Sequence, residues 1–407
     1  MKQLFLINVT GQDRPGVTAS LTEILSSGQA QVLDVGQAVI HDSLSLGILV
    51  AADEDCDVDT MLHKINNLSK RENIQISVQP IAQKDYQQWV DEQEKPRHIV
   101  TVLGRAISAE HIARISREVA KHGLNIDKIN RLSGRIALDA DINQAKACVE
   151  FSLRGTTSDL QELRSAFLSV ASELNIDIAY QEDNIYRRYR RLVVFDMDST
   201  LIEAEVIDEL AKEAGVGEQV AAITEQAMRG EIDFKESFRR RVGLLKGLDE
   251  SVLERVAERI KMTEGAEMLI STLRALGYKT GILSGGFTYF ANRLQQQLGI
   301  DYIHANQLEI ENGKVTGRVV GEVVDGARKA ELLRQIAAQE NITLEQVIAV
   351  GDGANDLPML SLAGLGIAFR AKPIVRQTAK QAISNIGLDG VLYLIGFRDR
   401  DWLNKKL

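Results

Sequence analysis

The chain has 407 residues and a formal net charge of −9, from 48 Lys and Arg against 57 Asp and Glu. That length suggests two or three domains, and the acidic balance argues against nucleic-acid binding, which needs a basic footprint. No signal core is visible and no apolar run approaches about 18 residues, so no membrane span is expected and the location is read as cytoplasmic.

Only Cys56 and Cys148 are present, which excludes a disulfide framework and a Cys-rich metal site. From Arg187 onward there is no Cys and a single His, His304. Hydrolytic chemistry in that half must therefore use carboxylates, Lys, Arg and hydroxyls rather than a Cys nucleophile, a Ser–His–Asp triad or His ligands.

The first element is the strand-like run "QLFLINV". It turns through Gly11 to Gly16 and continues at helical spacing through Val17, Leu21, Ile24 and Leu25. Strands near 32–40 and 45–52, a helix near 57–70 and the strand "NIQISVQPI" complete a βαββαβ order. The pattern then repeats from "HIVTVLGRAISAEH", which sets Gly104 against Gly11 and Gly123 against Gly28. Two copies of one small α/β unit are expected at 1–90 and 97–182, joined by the charged, Pro96-containing linker "DEQEKPR". A basic stretch, "YRRYRR" at 186–191, reads as a solvated connector to a third domain at 187–407.

From Leu192 short apolar runs alternate with long helical segments: "LVVF", "KTGIL", "VIAV" and "LGIAF". This rhythm predicts an α/β domain with a parallel sheet covered on both faces. The mostly helical stretch at about 203–262 is too long for one crossover and is expected to form a cap.

Three runs end in polar groups: Asp196-Met197-Asp198, Ser284-Gly285-Gly286, and Gly351-Asp352-Gly353-Ala354-Asn355-Asp356. Ligands of open parallel sheets bind outside the carboxyl ends of the strands. If extended geometry persists past Phe195, Asp196 and Asp198 face one crevice and Met197 points away, with Asp352 arriving from a neighbouring strand. Clustered carboxylates repel unless a cation or shared protons intervene, and an all-oxygen set selects a hard ion, most simply Mg²⁺. With backbone donors near Ser284 and a cation such as Lys329, this describes a phosphoryl-transfer site in which one carboxylate can become an aspartyl-phosphate.

"DMDST", "LSGG", Lys329 and "GDGAND", in this order, resemble the four motifs of the haloacid dehalogenase-like superfamily of aspartate-based phosphatases. Within it, residues 192–400 look like the phosphoserine phosphatases, through "TLIEAEVIDEL" and "EQAMRGEIDFKESFRRRVGLLKGL". The resemblance implies a doubly wound parallel-sheet domain with a helical cap. It implies Mg²⁺-dependent hydrolysis of O-phosphoserine to serine and phosphate, the last step of serine biosynthesis.

By position in those motifs, the resemblance makes Asp196 the nucleophile and Asp198 the acid, then base. Asp196, Asp352 and the backbone carbonyl of Asp198 would hold the metal. Ser284, Gly285 and Lys329 would hold the phosphoryl group, with Asn355 and Asp356 ordering the site. Glu205 would meet the substrate ammonium and Arg241 its carboxylate, under Met228 and Phe234. Periodicity alone leaves Arg239, Arg240 and Arg241 equally plausible.

Residues 1–182 resemble a pair of ACT domains, ferredoxin-like βαββαβ modules that often sense amino acids at a subunit interface. "TGQDRPG" looks like the ligand loop, implicating Gly11, Asp13, Arg14 and Gly16. The second copy has "LGRAISAEH" there and lacks the Asp-Arg-Pro-Gly run. A homodimer with serine as effector is expected. The alternatives are a same-fold phosphatase or phosphotransferase acting on another small phosphorylated amino acid, and an amino-acid-sensing regulator with a vestigial catalytic domain.

Overall fold

The computed structural model describes residues 2–402 except 136, 140, 143 and 144. It forms two compact units, Met1–Lys95 and Pro96–Leu407.

The first unit has strand β1 (Gln3–Gln12), helix α1 (Val17–Ser27), β2 (Gln31–Ile40), β3 (Ser43–Ala52), α2 (Val58–Glu72) and β4 (Gln75–Ile81). The antiparallel sheet has the order β2-β3-β1-β4. Alternation on β1 buries Phe5, Ile7 and Val9, which pack with Leu21 and Leu25 of α1 and Met61 and Ile65 of α2. Each such side chain contributes roughly 1.5–3 kcal/mol by leaving water. A further helix, α3 (Gln83–Glu92), runs into the segment read as a linker and buries none of its side chains.

The second unit opens by repeating this topology. Here β5 (Arg97–Gly104), α4 (Ala109–Lys121), β6 (Asn125–Arg131), β7 (Ala147–Arg154), α5 (Leu160–Leu174) and β8 (Asp177–Glu182) give a sheet of order β6-β7-β5-β8. This copy shares a core with the C-terminal domain: Leu103, Cys148 and Ala179 pack in one cluster with Leu392 and Tyr393. Its Arg105, in the loop that matches the first copy's ligand loop, donates two hydrogen bonds to Glu264 at 2.9 and 2.8 Å.

"YRRYRR" is solvated only in part: Tyr186, Arg188, Tyr189 and Arg191 are exposed, but two of its arginines are buried. Arg187 is 1% exposed and pairs with Glu150, and Arg190 is 7% exposed and donates to the carbonyl of Glu345 at 2.7 Å. A guanidinium can be buried where its planar donors meet a carboxylate or carbonyls, and a one-dimensional charge run does not reveal that those acceptors are waiting.

The remaining strands are β9 (Leu192–Phe195), β10 (Lys279–Phe287), β11 (Tyr302–Glu311), β12 (Lys314–Val320), β13 (Val347–Gly351), β14 (Leu365–Phe369) and β15 (Gln381–Ile383). They form one sheet of order β12-β11-β10-β9-β13-β14-β15, parallel except for the β11–β12 hairpin. The four apolar runs read from sequence are β9, β10, β13 and β14; β11, β12 and β15 are additional.

Between β9 and β10 lie the cap helices α6 (Val206–Glu213), α7 (Gly217–Met228), α8 (Phe234–Leu244) and α9 (Ser251–Arg259), then α10 (Ala266–Ala275), which packs against β10. The chain enters and leaves the cap side by side, with Glu203 N donating to Lys261 O and Thr263 N to Leu201 O at 2.9 and 3.0 Å. Later come α11 (Thr288–Leu298), α12 (Gly326–Gln339), α13 (Leu357–Leu362) and α14 (Pro373–Thr378). Among the described residues no helix is long and apolar enough to cross a membrane.

Candidate active site

Strand β9 lies between β10 and β13, with Phe195 level with Ile282 on one side and Val350 on the other. The three polar strand ends therefore meet at one edge. Pairing continues one residue past β9, since Asp196 N donates to Val350 O at 2.8 Å. Met197 then turns into the core at 0% exposure, while Asp196 and Asp198 are 6% and 8% exposed. The chain folds back at once: the amides of Leu201 and Ile202 both reach Met197 O, and Ser199 adopts a left-handed φ of 56°.

Lys329 comes from α12, whose N-terminus is capped by the Asp325 side chain accepting from Arg328 N at 2.8 Å. The lysine is fully buried, with Nζ 2.9 Å from Asp196 Oδ1 and 2.6 Å from Asp356 Oδ1. Burial opposes its charge, but Asp196 and Asp356 outweigh that and hold the ammonium above its ordinary pKa. The second oxygen of Asp356 accepts from Gly353 N at 2.9 Å.

Burial, then Asp196, pushes the Asp356 carboxyl up to about 6. For Asp352 the same causes, joined by Asp356 and Glu205, push it up to about 8. Asp198 is driven well above the carboxylate range by burial, then Glu205 and Asp196, and its Oδ1 is sheltered with no hydrogen-bond partner. Burial of this kind favours the protonated form of a carboxyl.

Ser284 and Gly285 lie within β10, Ser284 at 0% exposure, with Gly286 N donating to Ser284 Oγ at 2.9 Å. A Cβ on Gly286 would lie 2.6 Å from Met197 Cε and 2.7 Å from Asp198 Oδ2, so only glycine fits there. Two residues that the sequence reading did not assign support this edge. Thr200, fully buried, donates to Asp352 Oδ1 at 3.1 Å; its signal was its place in "DMDST". Asn306 donates to Gly285 O at 2.8 Å and accepts from Val324 N at 2.9 Å, and nothing in the sequence marked it.

On the cap side the three arginines separate. Arg239 and Arg240 are exposed and both pair with Glu236, whereas Arg241 is half-buried and its Nε is sheltered with no partner. Burial lowers its pKa, opposed by Asp208, Glu205 and Asp198. Glu205 accepts from Ser199 Oγ at 2.8 Å; it keeps open surface, yet lies in a recess where burial, and then Asp196 and Asp208, raise its pKa against that hydrogen bond. Phe234 approaches Gly285, where its Cζ would be 3.2 Å from a Cβ, and stacks on Phe238 at 6.1 Å. Met228 is 62% exposed, with Sδ 3.3 Å from Lys372 Nζ. Asn355 lies beside Gly353, where its Oδ1 would be 2.2 Å from a Cβ.

The donor set fits a hard divalent cation. One oxygen each from Asp196, Asp352 and Asp356 lies within 4.8 Å of the others. The recess gathers five carboxylates, those of Asp196, Asp198, Glu205, Asp352 and Asp356, against the cations Lys329 and Arg241. Of Asp196, Asp352 and Asp356, the last has both oxygens engaged, one by Lys329 and the other by Gly353 N. The oxygen-only set suits Mg²⁺ rather than a softer ion.

The haloacid dehalogenase-like hydrolase family matches residues 193–361, and ACT domain families match residues 3–79 and 96–181. A phosphoserine phosphatase of Streptomyces coelicolor is 42% identical over 398 residues, which cover 96% of this chain and 92% of that protein. The chain belongs to the phosphoserine phosphatase family. Phosphoserine phosphatase SerB2 of Mycobacterium tuberculosis, another member, is 41% identical with the same two coverages, 96% and 92%. Among solved structures, a haloacid dehalogenase family hydrolase of Salmonella enterica aligns with TM-score 0.63 at 32% identity, covering 74% of this chain and 98% of that one. A probable phosphoserine phosphatase of Vibrio cholerae aligns with TM-score 0.58 at 36% identity, covering 75% and 87%.

In the first ACT domain, Gly16 has φ 99° at the start of α1, and Asp13 N donates to Asp42 O at 2.7 Å. Arg14 lies 3.7 Å from Glu72, and a Cβ on Gly11 would meet Ile74 at 2.8 Å. The loop is thus closely packed on one side and open at Gly16, where no atom lies within 4 Å of a Cβ position.

Proposed function

We propose that this chain hydrolyses O-phosphoserine to serine and inorganic phosphate, the closing step of serine biosynthesis, through an aspartyl-phosphate on Asp196. The observation that carries the reading is Arg241 Nε, sheltered and without a partner, in the same recess as Glu205 and the Asp196–Lys329 pair. A buried guanidinium N–H left unsatisfied is costly, and a substrate carboxylate would satisfy it.

Asp196 attacks phosphorus while the bond to the serine oxygen breaks, and the proton held by Asp198 goes to that oxygen. Asp198, now a carboxylate, takes a proton from water. The water oxygen attacks phosphorus, releasing phosphate and restoring Asp196. Lys329 and the amides beside Ser284 face the charge that develops on the phosphoryl oxygens. Held by Asp196, Asp352 and the Asp198 carbonyl, Mg²⁺ would supply Lewis-acid stabilisation of those oxygens. Phosphate release from phosphoserine and from phosphomonoesters without an amino-acid group tests the reading; comparable kcat/KM across the panel would refute it.

The first ACT domain supports a second part of the proposal: serine, the product, binds at the Gly11, Asp13, Arg14 and Gly16 loop of a homodimer and lowers turnover. The edge strand β2 leaves Val32, Val35, Val39 and Ile40 exposed, and an edge of that kind invites pairing with a second copy. Replacing Gly16 by Val should weaken serine inhibition without altering turnover in its absence. Unchanged inhibition would place serine at the active site alone.

A further inference from the structure

A cavity of about 180 Å³ lies in the seam between the second ACT domain and the catalytic sheet. One wall is α5 and β8, carrying Arg164 and Tyr180; the other is α14 and β15, carrying Arg376 and the nearby Lys380. No Asp or Glu lines it, although acids outnumber bases in the chain. Among the described residues, Arg164, Arg376 and Lys380 form no ion pair, and Arg164 Nε is sheltered with no hydrogen-bond partner. Elsewhere on the molecule Arg229, Arg239, Arg240, Arg259 and Arg318 all pair with glutamates.

The walls are held together independently of any occupant. The Gln381 side chain accepts from Tyr180 N at 2.9 Å and donates to Tyr180 O, and Asp177 accepts from Ser384 N and Asn385 N, each at 2.9 Å. Asp177 lies within electrostatic reach of Arg376, but those amides and the Asn385 side chain occupy its oxygens. It therefore leaves the guanidinium's donors open to the cavity. The ring of Tyr180 is fixed in turn between Phe167 at 6.3 Å and His98 at 5.3 Å. A preformed site loses little freedom on binding. Its volume is roughly that of six waters, enough for a small metabolite but not for a peptide.

We infer that this seam is a binding site for a small polyanion, a molecule with two or more phosphate or carboxylate groups, distinct from the active site and from the first ACT domain's loop. Arg164 and Arg376 are its principal donors, with Lys380 at the rim and Gln161 and Ser165 as neutral partners. An occupant would also touch α14, which follows directly on Lys372, the residue against Met228 of the cap.

The test is calorimetric titration of citrate, and separately of inorganic pyrophosphate, into the metal-free full chain. At least one should bind with a Kd below about 1 mM; the two arms distinguish a carboxylate from a phosphate preference. Arg164→Ala and Arg376→Ala should each weaken binding by about tenfold or more, the scale of one charge-assisted hydrogen bond. Lys380→Ala, at the rim, should weaken it less and serves as the variant least prone to disturb folding. The melting temperature of each variant is measured alongside. Binding by neither anion, or binding that all three substitutions leave unchanged, would overturn the inference.

Discussion

Replacing Arg241 by Ala separates substrate recognition from chemistry. Its Nε is sheltered without a partner, so in the free protein this donor satisfies no acceptor. With substrate bound, a guanidinium–carboxylate pair is worth about 1.5–3 kcal/mol. At about 1.4 kcal/mol per tenfold this becomes a loss of roughly 10- to 150-fold in kcat/KM for phosphoserine. Phenyl phosphate, which has no carboxylate, should lose less than about threefold, because Arg241 then has nothing to recognise. The neighbouring Arg240, exposed and held by Glu236 at 2.6 Å, is the internal control. Its replacement by Ala should change either substrate by no more than about twofold. Steady-state phosphate release with both substrates and both variants is the assay. Equal losses on phosphoserine and phenyl phosphate would show that Arg241 acts on phosphate or on the fold. A large effect at Arg240 would show that burial is the wrong guide to which arginine binds substrate.

Asp196→Asn keeps the side-chain shape but removes the attacking charge, and turnover should fall by about 10³-fold or more with the fold intact; near-normal turnover by a folded variant would exclude it as nucleophile. A chelator should abolish phosphate release and Mg²⁺ restore it, while excess Ca²⁺ inhibits through its larger and looser coordination shell; full activity in chelator would exclude the metal role of Asp196 and Asp352. Lys329→Met leaves Asp196 and Asp356 without their buried partner, a loss of about 3–5 kcal/mol, so the metal-free variant should melt on the order of 10 °C lower by calorimetry. An unchanged melting temperature would mean that the ion pairs at 2.9 and 2.6 Å contribute nothing net.

The meeting of the polar strand ends at one edge was legible in the sequence because its signals are local. "DMDST", "SGG" and "GDGAND" each follow directly on an apolar run, and a parallel sheet brings such runs to one edge whatever the rest of the chain does. The internal repeat was legible for a related reason: matching glycines and hydrophobic periods mark the same turns and the same buried faces, and the two sheets have the same strand order.

Other features were decided only by packing. Arg239, Arg240 and Arg241 are adjacent on one helix and chemically identical, and which of them is sheltered depends on how α8 lies over the recess. Thr200 and Asn306 matter through partners elsewhere in the chain, Asp352 for one and Gly285 and Val324 for the other. "YRRYRR" reads as solvent-facing because charges avoid the interior unless partners are supplied. Its partners, Glu150 and the Glu345 carbonyl, lie 37 and 155 residues away. The sequence by itself determined which polar groups each strand end carries; the tertiary structure decided which distant groups stand beside them, because the cost of burying a charge depends on acceptors that only folding brings within reach.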